Sequence, residues 1–140
     1  MSDPTPVFQS LMAGLPIFML HLGSATVVWA IAMAIYSWIT PHNEFVLIRA
    51  GNKAASISFG GAAIGLALPL AFCLAASVNV WDVIIWGSVT LILQLIAFRA
   101  VDFLIGGLSK RIEEDETGPA IFLAMTKIAL AALNAAAVSG

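Results

Sequence analysis

Three Asp, Lys or Arg side chains lie inside apolar segments of this sequence, where a charge is costly and chemistry becomes possible. Arg99 and Asp102 are three residues apart, so they share one face of a helix. Lys127 lies in the last apolar segment, and the rise of a helix puts its depth within about 6 Å of that of Asp102. An ionised group near the bilayer centre costs about 2.5 to 3.5 kcal/mol or more, so such groups face the interior and pair. We therefore expect a polar cluster of Arg99, Asp102 and Lys127 inside the membrane.

This cluster has two interpretations. Asp102 is the only acidic residue that the sequence places within reach of the two cations, which leaves one positive charge unmatched. Backbone carbonyls, water, an anionic lipid or a neighbouring subunit would have to meet it. One interpretation is a site for an ion or a substrate. The other, which we favour, is a structural ion pair with one Lys or Arg extending toward the membrane surface.

No catalytic arrangement can be assembled from the sequence at one depth. It contains no Ser-His-Asp set, no phosphate-binding glycine loop and no pair of carboxylates suited to acid-base work. His42 and Glu44 are two metal-ligand types at a spacing of two, which is too few for a closed metal site. Cys73 is the only cysteine, so it offers neither a disulfide nor a cysteine metal site. The sequence predicts a protein that is not an enzyme and has no cofactor.

The elements that position these residues must cross a membrane. Of the 140 residues, 61% are hydrophobic and 10% are charged, whereas a soluble domain has roughly 25% charged residues. The mean hydropathy is +1.00. This composition excludes soluble enzymes and nucleic-acid-binding modules, so lipids are the expected surroundings and no nucleic acid is expected as a partner. It predicts an all-α membrane protein with a single transmembrane domain over residues 1–140.

Four segments reach the length of about 20 apolar residues that a spanning helix needs. They cover about 15–39, 54–77, 83–105 and 119–139. Thr40-Pro41 ends the first segment because proline disfavours helix in the residue before it. Asp82 is expected as the N-cap of the third segment, and Gly106-Gly107 ends it. The fourth opens at Gly118-Pro119, where proline suits a first helical turn.

Charge gives the expected orientation. The Lys and Arg residues outside the spans fall in two loops, at Arg49 and Lys53 and at Lys110 and Arg111. The positive-inside rule places these loops in the cytoplasm and both termini outside. No basic residue precedes the first span, so we expect it to be retained and not cleaved as a signal. Tyr36 and Trp38 are expected in the inner aromatic belt. The acidic run 113–116 is expected as a solvated segment that favours the start of the fourth span; a docking tail is the alternative.

Small residues on the second span predict close helix packing. Gly61 and Gly65 form a GxxxG pair beside Gly60, and the fourth span repeats the pattern with alanines. Pro69 removes a backbone hydrogen bond in mid-span and predicts a kink. The alternative use of small residues is to line a solute path. We expect tight packing, with enough small-residue surface for a homo-oligomer.

The two halves of the sequence are similar to each other. A shift of 64 residues aligns Gly23-Ser24-Ala25-Thr26 with Gly87-Ser88-Val89-Thr90. Each half contains two crossings, so both copies face the same way. The sequence thus predicts four transmembrane helices built as two parallel-repeated helical hairpins, with a duplication over 1–76 and 77–140.

A longer string carries a family resemblance. The loop Thr40-Pro41-His42-Asn43-Glu44, followed by Ala54-Ala55 and Phe59-Gly60-Gly61, resembles small bacterial inner-membrane proteins of the YjfL type, a family of unknown function. The likeness covers nearly the whole chain. It implies four spans, a domain that occurs in pairs, and an envelope setting with peripheral membrane-coating proteins of the phage-shock type as candidate partners. Arg99, Asp102 and Lys127 fall on no motif of that family.

Two functions remain open at this point. The first is a non-catalytic oligomeric membrane anchor or assembly subunit in an envelope-associated system, with the loops as contact surfaces. The second is an oligomeric channel or transport component for an ion or a small solute, suggested by the ionisable residues inside the spans. The lack of a reactive constellation favours the anchor narrowly.

Overall fold

The chain is a bundle of long helices in a computed structural model that describes residues 4–140. This part contains no strand, and its helices are α1 (Thr5–Ile39), α2 (Glu44–Arg49), α3 (Lys53–Ala76), α4 (Val80–Ile105), α5 (Leu108–Glu113) and α6 (Thr117–Ser139). Four of them, α1, α3, α4 and α6, are long and apolar enough to cross a membrane. The predicted all-α membrane fold is confirmed. We call the end of the bundle that carries α2 and α5 the loop side, and the end with the turn between α3 and α4 the turn side.

The first helix is longer than the span expected at its position. It begins at Thr5, before the predicted start near residue 15, and has 35 residues. At 1.5 Å per residue this is about 52 Å, against a hydrocarbon core of roughly 30 Å. It ends as predicted before Pro41, with the N–H of Thr40 donating to the carbonyl of Tyr36 at 3.0 Å.

The start of α4 corrects one prediction. Asn79, and not Asp82, is the N-cap residue: its Oδ1 accepts from the N–H groups of Trp81 and Asp82 at 2.9 and 3.1 Å. Asp82 is the third residue of the helix, and its Oδ2 accepts from the N–H of Asn79 at 3.3 Å. The two side chains therefore form a reciprocal capping box. An asparagine caps as well as an aspartate, so the helix starts one turn earlier than expected.

The small residues pack α3 against α6 within one chain, in the largest interface of the bundle. A Cβ at Gly61 would lie 2.5 Å from Ala124 Cβ, and one at Gly65 would lie 2.7 Å from Phe98 Cζ. Gly60 has no such neighbour within 4 Å. Pro69 is buried in α3, which continues as one helix on both sides of it. Gly61 and Gly65 are therefore used for packing inside the chain, and the homo-oligomer remains a prediction.

The two halves of the chain have the same order of elements, long-short-long. Equivalent helices also meet, since α1 packs on α4 and α3 packs on α6. This arrangement is compatible with a duplication of helical hairpins, which remains a prediction.

The segments on the loop side are tied to each other and to the bundle. Asn52 caps α3 by accepting from the N–H of Ala55 at 2.7 Å, and its Nδ2 donates to the carbonyl of Ile112 at 2.8 Å. Asp115 Oδ1 accepts from the N–H of Ala54 at 2.8 Å. We expected the acidic run to favour the start of α6, but Asp115 instead serves the start of α3. The loop side is thus a structured cover over the helix ends.

Candidate functional site: a buried ionic cluster beneath the loops

Lys127 lies in the interior of the bundle with 1% of its surface exposed. Its Nζ is 3.3 Å from Asp102 Oδ1 on α4 and donates to Tyr36 Oη on α1 at 3.4 Å. The ammonium also lies 4.9 and 5.0 Å from the ring centroids of Tyr36 and Phe98, at cation–π distance. Lys127 therefore does not extend toward the membrane surface. Its charge is met by groups from two other helices.

Glu44 supplies a second carboxylate that the sequence interpretation missed. Tyr36 Oη donates to Glu44 Oε1 at 3.0 Å, and both side chains are almost fully buried. The hydroxyl of Tyr36 thus accepts from Lys127 and donates to Glu44, which links α6 to the first residue of α2. The expectation that Asp102 is the only acid within reach was wrong, because the loop after α1 folds back onto the bundle. Tyr36 is accordingly a core residue and not part of an aromatic belt, whereas Trp38 is exposed.

Arg99 completes the cluster from its outer edge. One of its terminal nitrogens is 3.9 Å from Asp102 Oδ2, and 47% of its side chain is exposed. With Glu44 included, the two cations Arg99 and Lys127 face two carboxylates. The ionised cluster is therefore neutral, and the unmatched positive charge expected from the sequence disappears.

The loop motif lies at the mouth and rim of this cluster. His42 is buried, with Nδ1 3.0 Å from Ser109 Oγ and Nε2 3.6 Å from Glu44 Oε1. Thr40 Oγ1 donates to the carbonyl of Tyr36 at 2.7 Å. Asn43 caps α2 by accepting from the N–H of Val46 at 3.2 Å. Pro41 is exposed at the bend. The motif thus ends α1, begins α2 and directs two titratable side chains inward.

Several polar atoms of the cluster lack a hydrogen-bond partner. Within residues 4–140, the buried side-chain atoms in this condition are His42 Nε2, Glu44 Oε2, Ser58 Oγ and Asp102 Oδ1. Asp102 Oδ1 still faces the Lys127 ammonium as an ion pair, but the other three have no such partner at hydrogen-bond distance. Buried polar groups are nearly always satisfied in native proteins. Unsatisfied atoms gathered in one place indicate a site for water or a ligand.

A cavity of about 360 Å³ on the loop side is lined by three of these four residues, His42, Ser58 and Asp102. Tyr36, His42, Ser58, Asp102 and Lys127 line its interior, and the more exposed side chains of Arg99 and Lys110 lie toward its opening. Three cations and one carboxylate therefore border the cavity. No group of three His, Cys, Asp or Glu side chains able to hold a metal ion occurs in the described part of the chain.

Neutral amides continue the polar interior toward the turn side. Gln94 Nε2 donates to the carbonyl of Lys127 at 3.3 Å. Asn134 Nδ2 donates to Gln94 Oε1 at 3.0 Å and to the carbonyl of Thr90 at 3.1 Å. These amides join α4 to α6, as polar side chains commonly do between membrane helices.

Comparison with known proteins assigns this architecture to a family. The model of a domain of unknown function, DUF350, matches residues 10–138. The chain belongs to the DUF350 family. It is 35% identical over 133 residues to the UPF0719 inner membrane protein YjfL of Escherichia coli strain K12, covering 95% of this chain and 98% of that protein. The protein of the same name from Escherichia coli O157:H7 matches equally. No solved structure matches the chain.

The family assignment confirms the resemblance found in the sequence. DUF350 carries no catalytic description, and the relative is named for its location in the inner membrane. Together with four helices of spanning length, this makes the chain an integral membrane protein of an uncharacterised family.

Proposed function

We propose that this DUF350 chain is a component of a membrane transport system and that its loop-side cavity binds a small anionic solute. The observation that carries the proposal is the convergence of unsatisfied buried atoms on one cavity beside a buried lysine. Ionisable residues inside a membrane protein are costly, and those that face a cavity commonly mark ion or substrate pathways. A purely structural ion pair would not need an adjoining cavity or unpaired atoms.

The charge at the cavity favours an anion. Arg99, Lys110 and Lys127 border it, whereas Asp102 is the carboxylate in its lining. Ser58 and Ser109 add hydroxyl groups that can donate to an anion. In this proposal Lys127 binds the solute directly, and Asp102 holds the ammonium in place while the site is empty. Tyr36 and Glu44 fix the position of Lys127 from the other side.

Thermal unfolding of the purified protein in one detergent tests the binding. Chloride, acetate, sulfate and phosphate are the probes, each compared at constant ionic strength. A ligand that binds only the folded state stabilises it by about 2.7 kcal/mol at a hundred times its Kd. We expect at least one anion to raise the Tm of the wild type. The same anion should leave the Tm of Lys127→Met unchanged. Equal shifts in both proteins, or no shift with any anion, would contradict the proposal.

Flux measurement tests the transport half of the proposal. Proteoliposomes loaded with the anion that stabilises the protein should release this anion faster than protein-free liposomes loaded in the same way. Lys127→Met should abolish the flux, whereas Glu113→Gln, an exposed change on the same side of the bundle, should preserve it. Binding without flux would restrict the function to solute binding.

The second candidate is an oligomeric membrane anchor or assembly subunit. The observation in its favour is the structured loop side, where His42 and Asn52, on either side of α2, bond to α5 and where Lys110 and Glu114 are largely exposed. A peripheral membrane-coating protein of the phage-shock type, implied by the family resemblance, is the proposed partner. Co-sedimentation of such a purified protein with proteoliposomes should depend on this chain and be weakened by Lys110→Glu. Equal sedimentation with protein-free liposomes would contradict the anchor.

A homo-oligomer is part of this second candidate and needs a surface other than the small-residue stripe. The first part of α1 offers one, because its apolar side chains Val7, Phe8, Met12 and Ile17 are exposed. Native mass spectrometry from lipid nanodiscs tests the assembly. Dimers or larger species that Phe8→Ser reduces to monomers are expected, and monomers in every lipid would contradict it.

We also propose that the loop side faces the cytoplasm and that both termini lie outside, since the basic residues of the loops obey the positive-inside rule in that orientation. A C-terminal reporter that is active only outside the cell should then give a signal. A signal restricted to a cytoplasmic reporter would reverse the orientation and place the cavity opening on the outer face.

A further inference from the structure

A second opening lies at the opposite end of the bundle. It is a cleft of about 470 Å³ on the turn side, bordered by α3, α4 and α6. Its lining includes Ser77, Asp82, Thr90 and Asn134 together with apolar side chains such as Leu93. On α6, the residues that line the loop-side cavity extend as far as Lys127, and those that line the turn-side cleft begin at Asn134. The two openings therefore approach each other from opposite sides of the bundle.

One chain of hydrogen bonds bridges the interval between them. Gln94 donates to the carbonyl of Lys127 and accepts from the amide of Asn134. Asn134 also donates to the carbonyl of Thr90. Gln94 is 1% exposed. Thr90 and Asp102 are twelve residues apart on α4, which corresponds to about 18 Å along the axis. The polar interior thus extends over more than half of the hydrocarbon thickness of roughly 30 Å.

We infer that the two openings are the ends of one solute route through a single chain, closed in this structure by the hydrogen-bonded pair of Gln94 and Asn134. The inference rests on the proposed function, because it supplies the exit for the solute bound at Lys127. Such a route lies between α4 and α6 inside one subunit. It does not need a pore at the centre of an oligomer.

The side chains at the two openings suggest that an anion binds more tightly in the loop-side cavity than in the turn-side cleft. Three cations border the loop-side cavity, but the turn-side lining offers neutral hydroxyl and amide groups and the carboxylate of Asp82. An anion that passes the amide pair would therefore be held less tightly and could leave. The pair itself is neutral and its donors are satisfied, so opening it requires breaking hydrogen bonds and not ion pairs.

Thiol accessibility tests the route without relying on flux. The natural Cys73 is changed to Ala, and Ser58→Cys provides a single reporter in the loop-side cavity. A membrane-impermeant, negatively charged methanethiosulfonate is then applied from either side of oriented vesicles. We expect labelling from the loop side alone while the amide pair is intact.

Opening the pair should change the sidedness of labelling. Gln94→Ala or Asn134→Ala, each added to the reporter, should raise labelling from the turn side by at least about fivefold, because each change removes two buried hydrogen bonds. Leu133→Ala is the matched control, since Leu133 neighbours Asn134 in sequence and is exposed on the bundle surface. It should leave the sidedness unchanged. The two amide variants provide independent tests should one of them fail to fold.

The outcomes separate this inference from the proposed function. If neither folded amide variant admits reagent from the turn side, the route through Gln94 and Asn134 is overturned, even when anions still stabilise the protein through Lys127. If the amide variants admit reagent but no anion binds, the route stands and its proposed solute is wrong. If Leu133→Ala admits reagent as well, the reagent enters through loosened packing and the inference fails.

Discussion

The loop-side and turn-side halves of the bundle interior contain different kinds of buried polar groups. On the loop side the interior contains charged side chains from α2, α4 and α6, and several of their polar atoms are unsatisfied. On the turn side it contains the amides Gln94 and Asn134, which bond to each other and to backbone carbonyls. Neutral amides suffice to join helices. Charges and unpaired atoms on the loop side are costly, which supports the proposal that this half binds a solute.

Close helix packing holds the charged half together. Gly61 contacts α6 at Ala124, one turn before Lys127, and Gly65 lies beside the Lys127 backbone. The backbones can approach because these positions lack side chains. The position of the Lys127 ammonium between Asp102 and Tyr36 therefore depends on small residues as much as on charge.

The largest expected effect comes from breaking this packing. Gly61→Leu should prevent folding or cost well over the 1 to 3 kcal/mol that is typical of overpacked cores, because even a Cβ at this position would meet Ala124. Gly60→Leu, the adjacent change, meets no atom at the Cβ position and should be tolerated. Yield and Tm in one detergent compare the two. Equal loss in both variants would show that the stripe does not determine the packing.

Removing one partner of the central ion pair should have the next largest effect. Asp102→Asn should destabilise the protein by about 2 kcal/mol, less than the 3 to 5 kcal/mol lost when a fully buried pair is broken, because Tyr36, itself bonded to Glu44, still contacts Lys127. The double variant Asp102→Asn with Lys127→Met should recover part of that loss, since it buries no unmatched charge. Thermal unfolding of the single and double variants measures the coupling. Neutral effects of both single changes would mean that no buried cluster exists.

The second carboxylate should contribute less. Glu44→Gln keeps an acceptor for the Tyr36 hydroxyl but removes the charge, and we expect a loss of about 1.5 kcal/mol, the lower end of the range for hydrogen bonds to charged groups. Glu113→Gln on the exposed loop surface should be neutral. Chemical denaturation in mixed micelles compares the pair. An unchanged stability in Glu44→Gln would leave Asp102 as the sole counter-ion of Lys127.

The turn side should respond least. Asn79→Ala removes the N-cap of α4 and should cost about 1 kcal/mol, without altering anion-dependent stabilisation at the opposite end. Thermal unfolding with and without the stabilising anion separates the two effects. A loss of anion response in Asn79→Ala would mean that the two halves are coupled more strongly than this comparison implies.

Much of the architecture could be predicted because it follows from composition and local signals. Apolar length gives the four spans, and Pro41, Gly106 and Gly107 mark helix ends by their backbone chemistry. The depths of Asp102 and Lys127 follow from the helical rise. These inferences need only distances along one helix, which the sequence contains.

The parts of the site that could not be predicted from the sequence depend on contacts between distant segments. The sequence places Glu44 in a loop, and no neighbouring residue indicates that this loop folds inward toward Tyr36 and Lys127. The helix that packs against the glycine stripe could not be predicted for the same reason. GxxxG predicts a close contact without indicating whether it forms within or between chains. The choice of Asn79 over Asp82 as the cap depended on one turn of helix that either residue could begin.

Anomalous diffraction from crystals grown in bromide would test the central claim most directly, because it locates a small anion without relying on stability or flux. The account predicts a bromide peak in the loop-side cavity, close to Lys127 Nζ and on the side of Arg99, that is absent from Lys127→Met. Bromide absent from the cavity, with ordered water satisfying His42, Glu44 and Ser58 instead, would contradict it and leave the cluster a structural ion pair.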